Sequence, residues 1–450
     1  MLFILMLRFL VITTLTIFLT FPLSFRAQTT SATSATAAKS KRYIIRLKST
    51  ANLRHFDPQF KHSLAQYASA APDDNQLIYQ YTKVFPGYAG KFSQEFIQDL
   101  QHDPHVQDIL EDVVGKLDDA TPRVNPPLAS FHWNQLQKQQ PLPNNLLALD
   151  DVLSWGLRRI STRQYNPNAA FITPQSKAEN IIVYVLDSGI ETQHPAFEER
   201  ASFLGNFVAN EPDEDVLGHG THVAGIIAAT WVGVAQKARV VGVRVCDLNA
   251  DCAASDIVAG ISAILKRHAT APYNTTRAII NMSLGIPGTS ILDDAIQVAV
   301  QDYHIPVFAS AGNDHTDGCD KSPRRSPLVF TVSATDESDS HWPYGNYGRC
   351  VRVYAPGNNI VSVVPGVNDD GVLGRMDIKS GTSFAAPHVT GIAALFLAQH
   401  PRMTVNELYD AIEKRATKDA VKQGKPGTTT TLAYALYSDA DNPSSASRVS

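Results

Sequence analysis

Three short stretches of the sequence place an aspartate, a histidine and a serine where they could act together on an acyl group. Asp187 follows the apolar run NIIVYVL, His219 lies in GHGTHVAG, and Ser383 lies in SGTSFAAPHV. A serine hydroxyl becomes a competent nucleophile when a base takes its proton, and a carboxylate can hold a histidine base in the required tautomer. The three residue types therefore fit nucleophilic acyl transfer, although an aspartate after a strand is also typical of a simple turn.

A fourth stretch, ASAGND, adds an amide that could serve the same reaction. Its Asn313 follows another apolar run, and a side-chain amide there could donate to a developing oxyanion together with the backbone N–H of Ser383. We predict that these four residues form the catalytic site, with Asn313 in the oxyanion hole. Two further histidines of the same motifs, His222 and His388, are expected to be buried packing residues.

The elements that must position these side chains are strands of a parallel sheet and the helices between them. Near-continuous Val, Ile and Ala runs, such as NIIVYVLD and ARVVGVRV, alternate with helical stretches such as SDIVAGISAILKRH. Strands this apolar are buried on both faces, and the intervening helices supply right-handed crossovers. Ligands bind such sheets at the carboxyl ends of the strands, which is where Asp187 is expected to lie.

The motifs VLDSGI, GHGTHVAG, SAGN and SGTSFAAPHV together resemble those of subtilisin-like serine proteases, nearest the proteinase K branch. The resemblance covers residues 155–437. It implies an α/β fold with a subtilisin-like, doubly wound, mostly parallel sheet and helices on both faces. It also implies a serine endopeptidase that works through an acyl-enzyme. The alternative is a catalytically inactive secreted binding protein on the same fold.

Residues 42–117 resemble the inhibitor prodomain of these enzymes. Their pattern of strand, helix, strand, strand, helix, strand predicts a small α+β ferredoxin-like module. The resemblance implies that this module covers the active face as an intramolecular inhibitor and is later cut off. Residues 118–154 hold several prolines, glutamines and asparagines, which is typical of a linker, and we expect the processing site within them.

The N-terminus predicts export from the cell. Residues 1–27 are strongly apolar with an arginine inside the run, and a polar spacer follows them. This pattern is typical of a signal peptide; the alternative, an uncleaved signal anchor, is disfavoured because the run is short for a membrane span. We therefore expect a secreted, extracellular protein without stable membrane association, and a disordered tail at 438–450.

Composition limits the classes of partner. The 450 residues include 18% charged side chains and carry a formal net charge of −4, without a long run of like charge. Binding to nucleic acid is therefore not expected. The expected partners are protein or peptide substrates and the chain's own prodomain, and we expect a monomer that needs no cofactor.

The four cysteines are candidates for two disulfides in a secreted protein, and three connectivities are possible. In a cytosolic chain they would instead be free thiols. The resemblance implies a bridge between Cys319 and Cys350, which leaves Cys246 to pair with Cys252. On a predicted surface loop, Asn274 in NTT is a usable glycosylation acceptor.

Substrate binding should involve extended backbone, because proteases of this kind bind a peptide as an added strand. One side of that site would be the strand MSLG, whose alternative interpretation is a plain core strand, and the other would lie near DLNADCAAS. The lining of the primary specificity pocket is small and neutral, so we expect a broad specificity with a preference for apolar or aromatic side chains. The resemblance assigns six substrate-binding residues: Ser283, Leu284, Gly285, Ser310, Ala311 and Gly312.

The resemblance also implies a calcium site, which this sequence does not complete. The site uses two backbone carbonyls, here at Pro327 and Val329, and an aspartate whose position is occupied by Arg352. Calcium prefers anionic oxygen ligands, so a guanidinium at that position repels it. We predict no metal there and expect Arg352 to donate hydrogen bonds to the two carbonyls.

Overall fold

The computed structural model describes residues 41–49, 53–118, 155–166, 178–273, 276–367 and 373–436. The described residues belong to one unit of the chain, in which two main sheets have their own cores. The predicted signal peptide, the tail, most of the linker and Asn274 lie outside the described residues.

The first sheet, in the predicted prodomain, is antiparallel and has four strands. Alternate side chains of a strand point to opposite faces. In the first strand Ile45 therefore packs with the two helices, while Ile44 belongs to the core of the protease domain. The first six elements follow the predicted order: β1 (Lys41–Leu47), α1 (Leu53–Ala70), β2 (Gln76–Tyr81), β3 (Gly87–Phe92), α2 (Gln94–Leu100) and β4 (Val106–Glu111). Within the sheet the strand order is β2-β3-β1-β4. The last predicted strand is divided in two, because residues 114–117 form a separate strand that pairs outside this sheet.

The second sheet is parallel throughout, as predicted for the α/β fold class. Its central strands are buried along their whole length, which explains their near-continuous apolar sequences. The strand order is β14-β13-β12-β10-β6-β8-β7. These strands are β6 (Ile181–Asp187), β7 (Ala201–Asn206), β8 (Arg239–Arg244), β10 (Arg277–Met282), β12 (Val307–Ser310), β13 (Val329–Thr335) and β14 (Val351–Pro356).

Five labelled helices accompany this sheet: α3 (His219–Ala228), α4 (Ala254–His268), α5 (Ser290–Gln297), α6 (Thr382–Gln399) and α7 (Val405–Arg415). Helix α6 is buried over nearly all its length, because it packs on α3 and on several strands of the sheet. Its sequence is accordingly apolar on every face. No described helix is both long and apolar enough to cross a membrane.

A third, three-stranded sheet joins the two domains. Strand β5 (Val114–Leu117) of the prodomain lies between β9 (Asp251–Ala253) and β11 (Leu284–Gly285) of the protease domain, antiparallel to both. A separate hairpin pairs β15 (Ile360–Val363) with β16 (Met376–Lys379).

The structure contains two disulfides, in the pairing that the resemblance implies. Cys246 is bonded across a short loop to Cys252 in β9, and Cys319 is bonded to Cys350 just before β14. The second bridge ties the segment after β12 to the edge of the main sheet.

Candidate active site

The aspartate and the histidine meet where a strand of the main sheet faces the start of a helix. Asp187 is the last residue of β6 and His219 is the first residue of α3. Oδ1 of Asp187 lies 2.7 Å from Nδ1 of His219, and both side chains are buried. Gly218 precedes the helix with φ 71°, a left-handed conformation that glycine adopts without steric cost. The carboxylate thereby orients the imidazole through Nδ1.

A second carboxylate, which the sequence analysis missed, supports this pair. Oδ2 of Asp215 accepts hydrogen bonds from the N–H and the hydroxyl of Thr221, at 2.8 and 2.6 Å. Oδ1 accepts from the N–H of Gly218 at 2.9 Å and from the hydroxyl of Ser188 at 2.7 Å. Asp215 therefore satisfies N–H groups at the start of α3 and fixes the residue next to Asp187. An aspartate shortly before a predicted helix start was the available signal.

Ser383 is the second residue of α6, and its neighbour Phe384 packs with its ring centroid 5.3 Å from that of His219. Pro387, four residues later in the same helix, has no N–H to donate to the Ser383 carbonyl. That carbonyl instead accepts a hydrogen bond from the hydroxyl of Ser283 at 2.9 Å. The proline thus leaves an acceptor that joins the Ser383 backbone to the predicted substrate-binding segment MSLG.

The carbonyl of Asp118, the last described residue of the prodomain segment, lies against the hydroxyl of Ser383. Oγ of Ser383 donates to this oxygen at 2.6 Å, and Nδ2 of Asn313 donates to it at 2.5 Å. Oδ1 of Asn313 accepts at 2.9 Å from the N–H of Thr382, which fixes the orientation of the amide. A peptide carbonyl held by a serine hydroxyl and an amide donor is the arrangement that acyl transfer requires.

The backbone before Asp118 is bound as an added strand. Leu117 pairs with Leu284 on one side, and Gly115 pairs with Cys252 on the other. The N–H of Asp118 donates to the carbonyl of Ser283 at 3.1 Å. The structure therefore brings both predicted substrate segments, MSLG and DLNADCAAS, to the two sides of one extended chain.

Comparison with known proteins assigns both parts of this arrangement. Residues 178–433 match the family model described as Subtilase family, and residues 42–118 match the one described as Peptidase inhibitor I9. The chain belongs to the subtilase family. It is a subtilisin-like serine endopeptidase with an inhibitor prodomain, as the motifs predicted.

Individual relatives agree with this assignment. A subtilase-type proteinase of the sexual differentiation process in Schizosaccharomyces pombe is 34% identical over 348 residues, which cover 77% of this chain and 67% of that protein. Subtilisin-like protease 1 of Arthroderma otae is 36% identical over 347 residues, covering 77% of this chain and 64% of that protein. The crystal structure of a cold-adapted subtilisin-like serine proteinase is 35% identical, with a TM-score of 0.57, and the match covers 63% of this chain and 98% of that one.

The residues predicted to line the specificity pocket have a charged neighbour, whereas a neutral lining was expected. The Asp118 carboxylate lies beside them and accepts from the hydroxyl of Ser310 at 2.5 Å and from Nη1 of Arg324 at 2.9 Å. Arg324 is only 1% exposed, so a buried positive charge lies next to the predicted pocket residues. The prediction of a neutral lining was wrong because Arg324 comes from a segment that the motifs did not connect with the site.

The remaining predicted pocket residues also border this region. Gly285 and Gly312 lie against the guanidinium of Arg324. The N–H of Gly312 donates to Oγ1 of Thr382 at 2.9 Å. Ala311 is buried, and its N–H donates to the Val332 carbonyl in β13, so it connects the pocket wall to the main sheet.

The two other motif histidines of the subtilase are buried in packing positions. Nε2 of His222 lies 3.1 Å from the Ile360 carbonyl, and burial lowers the pKa of His222 well below its ordinary value. Nδ1 of His388 lies 2.8 Å from the Phe384 carbonyl, and burial lowers the pKa of His388 to about 4. Both imidazoles are therefore neutral near pH 7 and contribute to packing.

Arg352 does not make the contacts predicted for it. Its Nε donates to Oε1 of Glu413 at 2.6 Å, and its guanidinium lies 4.9 Å from the ring centroid of Phe330 and 5.0 Å from that of Tyr409. The expectation that it donates to the Pro327 and Val329 carbonyls was wrong, because a carboxylate and two aromatic faces attract the guanidinium more strongly.

Proposed function

We propose that this chain is a secreted zymogen whose protease domain hydrolyses peptide bonds through Asp187, His219 and Ser383. The observation that carries the proposal is the Asp118 carbonyl, which accepts hydrogen bonds from Ser383 Oγ and Asn313 Nδ2. A protein substrate would place its carbonyl at the same point and its backbone in the groove now filled by β5.

The proposed reaction has two halves. Oγ of Ser383 attacks the substrate carbonyl carbon while Nε2 of His219 takes its proton, and Asp187 stabilises the imidazolium through Nδ1. Asn313 Nδ2 and the Ser383 N–H stabilise the oxyanion. The amine leaves with the proton from His219, and water then hydrolyses the acyl-enzyme by the reverse proton path.

The proposal extends to regulation and location. Because β5 fills the groove and Asp118 contacts the nucleophile, the prodomain blocks the site until it is removed. Secretion is proposed because of the predicted signal peptide. Glycosylation of the chain and its monomeric state remain predictions. All four proposed catalytic positions carry residues that can perform the reaction, which favours an active enzyme over the alternative of an inactive binding protein.

Two measurements test this function. A serine-directed fluorophosphonate should label the processed protein at Ser383, and failure to label it would leave the inactive binding protein as the better description. A Ser383→Ala precursor should remain uncut, whereas Ser290→Ala, at an exposed serine of α5, should process normally. Normal mature protein from Ser383→Ala would show that another protease cuts the chain.

A further inference from the structure

The side chain of Asp118 is bound as specifically as its carbonyl. One carboxylate oxygen, Oδ2, accepts from Nη1 of Arg324 at 2.9 Å and from the hydroxyl of Ser310 at 2.5 Å. Both partners belong to the protease domain, and the arginine is 1% exposed. A short acidic side chain therefore reaches a charged partner inside the primary specificity pocket.

Arg324 is held in place by the protease domain itself. Its Nε donates to the Gly318 carbonyl at 3.1 Å, and Nη1 also donates to the Ser310 carbonyl at 3.2 Å. A Cβ atom at Gly285 would lie 2.6 Å from Nη2, and one at Gly312 would lie 2.7 Å from it. The two glycines thus leave the space that the guanidinium fills, so the charge is prearranged without the prodomain's help.

When Asp118 is absent, Arg324 loses the carboxylate that contacts it, because the nearby Asp314 carboxylate is bonded to Lys321 instead. Among the described residues, Asp118 is the one whose carboxylate forms a salt bridge with Arg324. A buried guanidinium without a carboxylate raises the free energy of the complex. An apolar substrate side chain would keep Arg324 away from water without neutralising its charge, and a basic side chain would repel it. Aspartate satisfies the charge, and the additional methylene of glutamate has less room because Arg324 already occupies the pocket.

We propose that Arg324 makes this protease selective for aspartate before the cleaved bond, and that the precursor first cuts itself between Asp118 and Asp119. In that step Ser383 Oγ bonds to the Asp118 carbonyl carbon, the bond to the Asp119 nitrogen breaks, and the freed amine takes the proton. Water then hydrolyses the ester, which restores the Ser383 hydroxyl and leaves Asp118 with a C-terminal α-carboxylate. This inference rests on the proposed function, and it replaces the apolar or aromatic preference, which assumed a neutral pocket.

The first test uses the active wild-type enzyme, quantified by fluorophosphonate labelling so that the proposed function is established separately. Peptides that differ at the residue before the cleaved bond (Asp, Asn, Glu, Phe, Ala or Lys) are compared by kcat/KM. We expect Asp to exceed Asn and Phe by at least about 10²-fold, as for loss of one partner of a buried charge pair. A labelled enzyme that prefers Phe or Ala would overturn the selectivity while leaving the proposed function intact.

The second test changes the arginine. Arg324→Met should remove the preference for Asp over Phe, whereas Arg325→Ala, at the neighbouring half-exposed arginine paired with Asp293, should keep it. An unchanged preference in Arg324→Met would reject the role of Arg324. If this variant yields no labelled enzyme, the wild-type peptide profile decides the selectivity by itself.

The third test concerns the precursor. Mass spectrometry of the prodomain released by the wild type should find a C-terminus at Asp118. Asp118→Asn, which keeps the shape and removes the charge, should slow the first cut by about 10²-fold. A first cut elsewhere in the linker, or cutting of Asp118→Asn at the wild-type rate, would contradict the proposed self-processing site.

Discussion

Arg42 of the prodomain forms a salt bridge with Asp256 of the protease domain. The Arg42 guanidinium also lies 3.0 Å from Asp112, whose carboxylate accepts from the N–H and hydroxyl of Ser255 at 2.9 and 2.7 Å. Asp112 thus binds a free N–H at the start of α4 across the domain interface. The prodomain is held by this polar cluster as well as by β5.

We predict that Arg42→Met speeds the release of the prodomain after self-cutting. Loss of a partly buried charge should weaken its binding by about 2 kcal/mol or more, because Asp112 and Asp256 would remain buried without their partner. The delay before full activity in a freshly processed sample measures the effect. Lys41→Met is the control, since Lys41 is exposed and pairs with Glu111 inside the prodomain. An equal delay in both variants would show that Arg42 does not hold the domains together.

Replacing the oxyanion amide should reduce turnover more than it changes stability. In Asn313→Asp the acceptor for Thr382 remains, but the donor to the substrate carbonyl becomes a negative charge. We expect kcat to fall by about 10² to 10³ or more with a smaller change in KM, since the lost interaction strengthens in the transition state. Single-turnover kinetics on a peptide substrate would measure it. An unchanged kcat would remove Asn313 from the oxyanion hole.

Asp215→Asn should affect both folding and catalysis. Each carboxylate oxygen of Asp215 accepts two hydrogen bonds. In asparagine one of these oxygens is replaced by an NH₂ group, which cannot accept them and leaves two donors of the protein without a partner. We expect a loss of about 2 to 3 kcal/mol in the free energy of unfolding, together with slower turnover because the start of α3 carries His219. Urea unfolding compared with Asp213→Asn, at an exposed aspartate, would measure it. Equal stability of the two variants would contradict this role.

The contribution of His388 to the stability of the fold should decrease as the pH falls from about 6.5 to about 4. Burial lowers the pKa of His388 to about 4, whereas an unfolded histidine titrates near 6.5. As the pH falls, the unfolded chain therefore binds a proton at this histidine before the folded chain does. The contribution of the neutral imidazole to the free energy of unfolding is complete above the pKa of the unfolded state. It is lost as the pH falls towards the pKa of the folded state, by up to about 3 kcal/mol. The same direction holds for His194, whose pKa burial also lowers to about 4.

The pH dependence can be measured by urea unfolding of the Ser383→Ala precursor, which cannot digest itself. His388→Asn should make the loss of stability between pH 6.5 and 4 shallower. His304→Asn is a matched control, because His304 is exposed and asparagine tolerates its φ of 56°. A control curve as shallow as that of His388→Asn would rule out the buried imidazole as the cause.

We predict that the Pro327 and Val329 carbonyls bind no calcium. Removing calcium with a chelator should therefore not speed the thermal inactivation of the mature enzyme by emptying this site. Arg352 keeps a guanidinium at the position of the expected aspartate, bonded to Glu413 and covered by Phe330. Calcium would meet that charge without the carboxylate it needs. Inactivation is measured with and without excess chelator. A large loss that calcium restores would contradict the prediction.

Much of the site was predictable because its motifs lie at the ends of regular elements. The apolar run before Asp187 predicted β6, and the glycines around His219 preceded a helix start, so both residues were expected at strand-to-helix junctions. Such signals are local, since they depend on side-chain periodicity and on the backbone conformations that glycine allows. The order of elements in the prodomain was predictable for the same reason.

The sequence by itself determined the family, the two sheets and which residues are proposed for catalysis. Only the tertiary structure decided what the specificity pocket contains. Arg324 lies in no catalytic motif, and Asp118 was assigned to a linker; they meet because β5 enters between β9 and β11 and because Gly285 and Gly312 leave room for a guanidinium. No local pattern encodes such a contact, since the charge in the pocket depends on which distant segments pack together and on the volume they leave between them.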